Sequence, residues 1–401
     1  MGTRYRWVIL AAGTLAQASF SALSVGLPAL APALRSHYRL SLGETGVVLG
    51  AVGIGMLFTL LPWGFLADRI NEQLVIAVGL VLAAGSLVFA GSTTAYGPLV
   101  GALVAAGAFG ASVNAASGRA VMGWFPADQR GLALGVRQTA IPIGGAAAAA
   151  ALPWLADAGG TKLAFVVLGC SCLAGAVVAL AFIRTPPAAG ADLANLRGPM
   201  RDLRMWVLGL GAGLYITAQV GITGFLVLFL HEHRGVSAHA AALLLAGINV
   251  CSIGSRIASG RWSDRVHTRL RPIRQIGVAL TATTALVAVT TDAPLAVLIP
   301  ALVVAGVLSM SWNGLAIAAA AETASGGRVG AAIGLQQTLL GIVVAAVPPA
   351  FAAVAGSSWR LAFALAAAGP AVGALALLVV PEPRTRTGVT LDAAAPSGSS
   401  S

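Results

Sequence analysis

The segment Gly64-Phe65-Leu66-Ala67-Asp68-Arg69 returns 196 residues later as Gly260-Arg261-Trp262-Ser263-Asp264-Arg265. Each copy closes a long apolar run and opens a short charged one. Further pairs recur at an offset of 199: Asn114 with Asn313, Gly131 with Gly330, Gly135 with Gly334, and Gln138-Thr139 with Gln337-Thr338. The two offsets differ by about three residues of insertion, so one unit of the chain has been doubled. A doubled unit made of long apolar runs restricts the fold to two pseudo-symmetric helical halves.

The runs exclude a water-soluble fold. Of 401 residues 58% are hydrophobic and 9% charged, and the mean hydropathy is +0.88, whereas a soluble domain carries roughly 25% charged residues. The net charge is +11, but the basic residues lie in short loops between apolar runs. That distribution orients a membrane protein, so no nucleic-acid partner is expected. Helices that cross a bilayer need about 20 mostly apolar residues. Twelve such runs are read, at 7–33, 43–66, 74–93, 97–124, 131–155, 161–183, 204–230, 238–263, 274–291, 294–321, 329–355 and 358–380. The expected fold class is therefore an all-α membrane protein with twelve transmembrane helices. Residues 1–183 form the first six-helix half, 184–203 a linker, 204–380 the second half and 381–401 a disordered tail.

With both termini on one side, 18 of the 24 basic residues fall on or near that side, which the positive-inside rule makes cytoplasmic. Arg35, Arg39, Lys162, Arg234 and Arg360 fall outside, and Arg256 lies within a span. The first run is longer than the core of a signal peptide and has no convincing processing site. Cys170, Cys172 and Cys251 sit inside apolar runs and read as packing residues. No phosphate-binding glycine loop, metal-ligand cluster or nucleophile–base constellation stands out. Neither an enzyme nor a cofactor is expected.

Twelve spans, two halves and a Gly-x-x-x-Asp-Arg loop after spans two and eight resemble the major facilitator superfamily over nearly the whole chain. The resemblance implies transport by alternating access, with spans one, four, seven and ten around a central cavity. It also implies that the repeated loop is a cytoplasmic latch, its Asp facing a helix N-terminus of the other half, where free N–H groups carry partial positive charge. Asp264 would then face the start of span five near Gly131, and Asp68 the start of span eleven near Gly330. Glu322 would pair with Arg265. The latch residues are Gly64, Asp68, Arg69, Arg119, Gly260, Asp264, Arg265 and Glu322, with Arg119 supplying the charge that Asn71, Glu72 and Gln73 leave out of the first copy. Two family signatures are missing. Leu103 stands where proton-coupled members carry an Arg, and Ala140-Ile-Pro142-Ile-Gly144-Gly145 falls one residue short of the exporter element.

Specificity falls to polar groups inside the spans. Arg256 is the sharpest candidate, since a charge at such depth costs at least about 2–3 kcal/mol and faces a wet cavity or a partner. Its repeat counterpart is Leu60, so the fold itself demands no Arg there. Carboxylate-carrying members place an Arg four residues before this glycine, and a guanidinium fork suits a carboxylate. The alternative is a structural or gating Arg. Arg137, whose counterpart is Gln336, is a second candidate, open to the same alternative. Gln17, Asn114, Tyr215, Gln219, Trp312 and Asn313 complete the expected substrate-binding set, each weighed against a plain interhelical hydrogen bond. The carboxylates lie at the membrane edges, so the cavity balance is positive and favours an anion. The sequence thus reads as a secondary transporter of a small organic anion in a bacterial inner membrane, a monomer whose partners are lipid and a small-molecule substrate. The alternatives are efflux of a hydrophobic drug or metabolite, and a non-transporting sensor or scaffold.

Overall fold

The computed structural model describes residues 4–126, 129–184, 201–324 and 329–382. Most of the expected linker, Asp128 and most of the expected tail lie outside the described residues. Among the described residues, eleven helical stretches are long and apolar enough to cross a bilayer. They are α1 (Tyr5–Tyr38), α2 (Leu42–Ala67), α3 (Glu72–Ser92), α4 (Tyr96–Gly118), a stretch from Leu132 to Phe182, and then α7 (Leu203–His233), α8 (Ala238–Arg265), α9 (Leu270–Val289), α10 (Leu295–Thr323), α11 (Ala331–Ala355) and α12 (Trp359–Val379). The fifth stretch has 51 residues. At about 1.5 Å per residue it would run more than twice the ~30 Å hydrocarbon core. It is broken where it must be: Gly159 (φ −151°, ψ 23°) and Gly160 (φ +69°, ψ −175°) leave helical geometry, the second in a region that an L side chain resists. The break yields α5 (132–158) and α6 (161–182), and with them the twelve crossings that the sequence implies.

Local sequence sets the helix ends. Ser41 and Glu44 form a reciprocal capping box at α2, the Ser41 Oγ accepting from Glu44 N and the Glu44 carboxylate from Ser41 N. Asn71, Ser237 and Ser358 cap α3, α8 and α12 one way, each side-chain oxygen accepting from the backbone N–H three residues on. Arg274 closes the other end of α12 by donating to the carbonyls of Leu377 and Val380. Helix α7 departs from α geometry, with π turns at Val220–Gly224 and Phe229–His233.

Small residues then bring the helices together, because lipid supplies no hydrophobic drive for helix association. The two halves meet along α2 with α11 and α5 with α8. The contact is tightest away from the Asp-Arg loops. There a Cβ on Gly46 of α2 would stand 2.4 Å from Ala352 Cβ and 2.7 Å from Pro348 O of α11. At the same end Ala29, Ala31 and Ala149 of the first half are buried in the apolar cluster of the second. The end bearing the Asp-Arg loops is called the latch end below, and the other the far end.

Gly46→Val is expected to force this contact apart, because a packed backbone cannot give way as a flexible side chain would; overpacking costs about 1–3 kcal/mol. Thermal unfolding in detergent should show a lowered midpoint. Gly43→Val, three residues earlier and with nothing within 4 Å of its Cβ position, should melt like wild type.

Candidate functional site

Between the halves lies a cavity of about 450 Å³. Its lining reaches Phe65 and Ile333 at the latch end and stops at Pro28, Leu49, Phe225 and Pro348 on the far side. Most lining residues are apolar, among them Met56, Leu57, Ile141, Val220, Ile317 and Val344. Polar groups enter from α1, α4, α5, α7, α10 and α11, including Gln17, Asn114, Gln138, Gln219, Asn313 and Gln337. Among the described lining residues one is charged, Arg137.

Arg137 stands on the first two turns of α5 and is 9% exposed. Its Nη1 donates to Gln17 Oε1 at 3.3 Å and to Ser117 Oγ at 3.1 Å. Its Nη2 donates to Gln138 Oε1 at 3.3 Å. Every one of these acceptors is neutral, and the Nε–H has no partner. A guanidinium has five N–H donors, so the Nε–H and one Nη2–H remain. A buried cation held by neutral groups alone keeps much of its desolvation penalty. An anion entering the cavity would relieve it.

Five of the eight expected substrate-binding residues are brought together here: Arg137, Gln17, Asn114, Gln219 and Asn313. Asn313 Nδ2 donates to Gln219 Oε1 at 3.5 Å, joining α10 to α7. The other three are not on the lining. Arg256 turns toward α5, where its Nη1 donates to the Gln138 carbonyl at 2.9 Å. Tyr215 is fully buried, with its hydroxyl passing Gly277 to donate to Ile273 O at 3.1 Å. Trp312 is buried edge-on against Tyr215, the ring centroids 5.5 Å apart. Both aromatic residues serve the packing of α7, α9 and α10. Lining residues that the expectation lacked are Ser21, Ser24, Gln138, Thr223, Gln337 and Thr338. Gln138 and Gln337 carried a usable signal, since they are repeat partners just as Asn114 and Asn313 are.

The family model for the Major Facilitator Superfamily matches residues 9–348. The chain belongs to the major facilitator superfamily. As a member it is a secondary transporter. An uncharacterized MFS-type transporter of Mycobacterium tuberculosis (strain CDC 1551 / Oshkosh) is 32% identical over 377 residues, 92% of this chain and 84% of that one. The hexuronate transporter of Bacillus subtilis (strain 168) is 27% identical over 179 residues, 44% of this chain and 41% of that one. Among solved structures, a bacterial homologue of the human lysosomal transporter Spinster, inward-facing and unoccupied, superposes with a TM-score of 0.73 at 16% identity, covering 95% of both chains. The nucleoside transporter NupG follows at 0.72 and 13% identity, covering 93% of this chain and 99% of that one.

In this superfamily transporter the two ends differ in what joins the halves. At the far end Arg35 of α1 forms an ion pair with Glu232 of α7. His239 Nε2 of α8 lies 3.2 Å from Asp157 Oδ2 at the end of α5 and against the Trp154 ring. Among the described residues at the latch end, Asp264, Arg269 and Glu322 of the second half bond among themselves. Asp264 accepts from Arg269 Nη1 at 2.5 Å, and Glu322 accepts from Arg269 Nε at 2.8 Å. Glu322 therefore pairs with Arg269 and not with the expected Arg265. Asp264 likewise bonds within its own half. Gly64 lines the cavity, Arg69 and Arg265 are exposed, and Gly260 has nothing within 4 Å of its Cβ position. The side chains of Asp68 and Arg119, and the surroundings of Gly131 and Gly330, lie outside the described residues.

Half-exposed ion pairs are worth about 0–1 kcal/mol each, enough to bias two states that are nearly balanced. Glu232→Arg should open the far end, seen as faster alkylation of a cysteine at Ser24 by an impermeant reagent added from that side, with Cys170, Cys172 and Cys251 replaced. Restoring the pair in reverse with Arg35→Glu should slow it again.

Proposed function

We propose that this transporter carries a small organic anion, most simply a carboxylate with an apolar body, which Arg137 receives. The carrying observation is that the one charged side chain on the described cavity lining is a buried guanidinium with no acidic partner and with donors to spare. The spare Nη2–H can meet one carboxylate oxygen. The Nε–H on the same edge, enclosed by protein in this state, can meet the second once Arg137 swings toward the cavity. The amides of Gln17, Asn114, Gln138, Gln219, Asn313 and Gln337 supply neutral polar contacts, and the aliphatic walls favour a substrate with few hydroxyl groups. The partial relative named as a hexuronate transporter supports an acidic cargo. The role first considered for Arg256 passes to Arg137, because Arg137 lies on the cavity and Arg256 does not.

The arginine distribution supports a cytoplasmic latch end, with both termini inside and the far end facing outward. In that orientation the ion pair Arg35–Glu232 and the close pair His239–Asp157 lie on the outer side. A cysteine at Lys162 should then be labelled in intact cells by an impermeant maleimide, and one at Arg197 should not.

Ligands that bind the native state raise its stability by RT ln(1 + [L]/Kd), about 2.7 kcal/mol at a hundredfold excess over Kd. Benzoate, compared with its uncharged amide, should raise the unfolding midpoint of the purified protein while the amide does not, and glucuronate, with its ring hydroxyls, should raise it less. Arg137→Gln should abolish the shift, and Arg137→Lys should weaken it, because an ammonium keeps the charge and loses the fork. Equal shifts by benzoate and its amide, or an undiminished shift in Arg137→Gln, would overturn the anion reading.

A further inference from the structure

Helix α5 has an irregular turn at Thr139, between the segments Arg130–Gln138 and Ala140 onward. The cause lies three residues ahead. Pro142 has no N–H, so the carbonyl four residues earlier, that of Gln138, receives no bond from its own helix. Regular bonding resumes one residue later, with Ile143 N donating to Thr139 O at 3.1 Å. A carbonyl left bare inside a membrane protein must find a donor in the protein itself. It finds one on α8, where Arg256 Nη1 stands 2.9 Å away.

The same repair occurs at Pro370, whose freed carbonyl, that of Ala366, accepts from Thr217 Oγ1 at 2.8 Å. There donor and acceptor belong to one half of the molecule. At Pro142 the donor comes from the other half, and it needs a long side chain. Ser255 and Ser259, the neighbouring hydroxyls of α8, are already engaged with Ser311 of α10.

Gln138 links this bond to the cavity. Its side chain lines the cavity and accepts from Arg137 Nη2 at 3.3 Å, while its carbonyl holds Arg256. We propose that Arg256 is a positioning residue: from the second half it replaces the hydrogen bond that Pro142 removes, and so fixes the bend that holds Gln138 against Arg137. It acts with a single N–H, so it does not need the guanidinium fork. The bond also ties the pose of Arg137 to the register of α8, which an alternating-access cycle changes.

The test needs no substrate, so its failure is separate from failure of the carboxylate reading. Wild type, Arg256→Gln, Pro142→Ala, the double variant and Arg256→Lys are compared by two measurements. One is hydrogen–deuterium exchange of the α5 amides around Thr139. The other is the rate at which phenylglyoxal modifies Arg137, read by mass spectrometry of its peptide. Arg256→Gln should speed both by about tenfold, the scale of one lost charge-assisted bond. Pro142→Ala restores an N–H four residues beyond Gln138, and in the double variant it should bring both rates back to within about threefold of wild type. Arg256→Lys, with one donor still in reach, should stay near wild type. A double variant as fast as Arg256→Gln would overturn the repair. Exchange that follows this order while Arg137 modification never changes would overturn the positioning role and leave a structural bond.

Discussion

The lipid interior offers no water to a backbone group that has lost its partner, and this constraint organises the molecule. Regular helix meets it without help. Some departures from regular helix are met by a side chain of another helix, and others lie at an exposed edge. Gly159 and Gly160 break the chain where both are exposed at the far end, and no side chain is recruited there. Pro370 and Pro142 break the bonding inside spans, and each freed carbonyl is met by a side chain of another helix, Thr217 or Arg256.

Duplication supplied a symmetric frame, and the site arose where the symmetry fails. Asn114 and Asn313 line the cavity as a pair, and so do Gln138 and Gln337. The residues before those glutamines differ. Arg137 meets Gln17 and Ser117, whereas Gln336 is fully buried, off the lining, with neither side-chain polar atom bonded. One half thus brings a cation to the cavity, and the corresponding place in the other brings a neutral amide enclosed by protein. Among the described lining residues a single cation faces neutral groups.

The contacts that separate the two ends are weak one by one. Arg35–Glu232 and His239–Asp157 are partly exposed, and Asp264, Arg269 and Glu322 form a local network at the other end. Weakness suits a protein that must exchange states, because a closure of many kcal/mol would trap one of them. The firmer far-end contact is steric, at Gly46 against Pro348 and Ala352, and it depends on the absence of a side chain.

The sequence by itself determined the membrane setting, the doubling and the twelve crossings, and five of the eight polar residues it singled out line the cavity, because hydropathy and repeat spacing are local and periodic properties. It also marked Gly64 and Gly260, Asp68 and Asp264 as equivalent places. It did not decide which way a polar side chain inside a span turns. The sequence ranked Arg256 above Arg137 as the substrate-facing charge, and the structure places Arg137 on the cavity instead. Their difference rests on Pro142, which frees a carbonyl beside α8, and on Gln17 and Ser117, which hold Arg137 at the cavity wall. Tyr215 and Trp312 likewise read as cavity aromatics until Gly277 gave the tyrosine hydroxyl a way through to α9. Arg269 took Glu322 from Arg265 in the same manner, through proximity in space. Orientation about a helix axis is set by the neighbours that each face meets, and those neighbours are distant in the chain, so tertiary packing alone decided it.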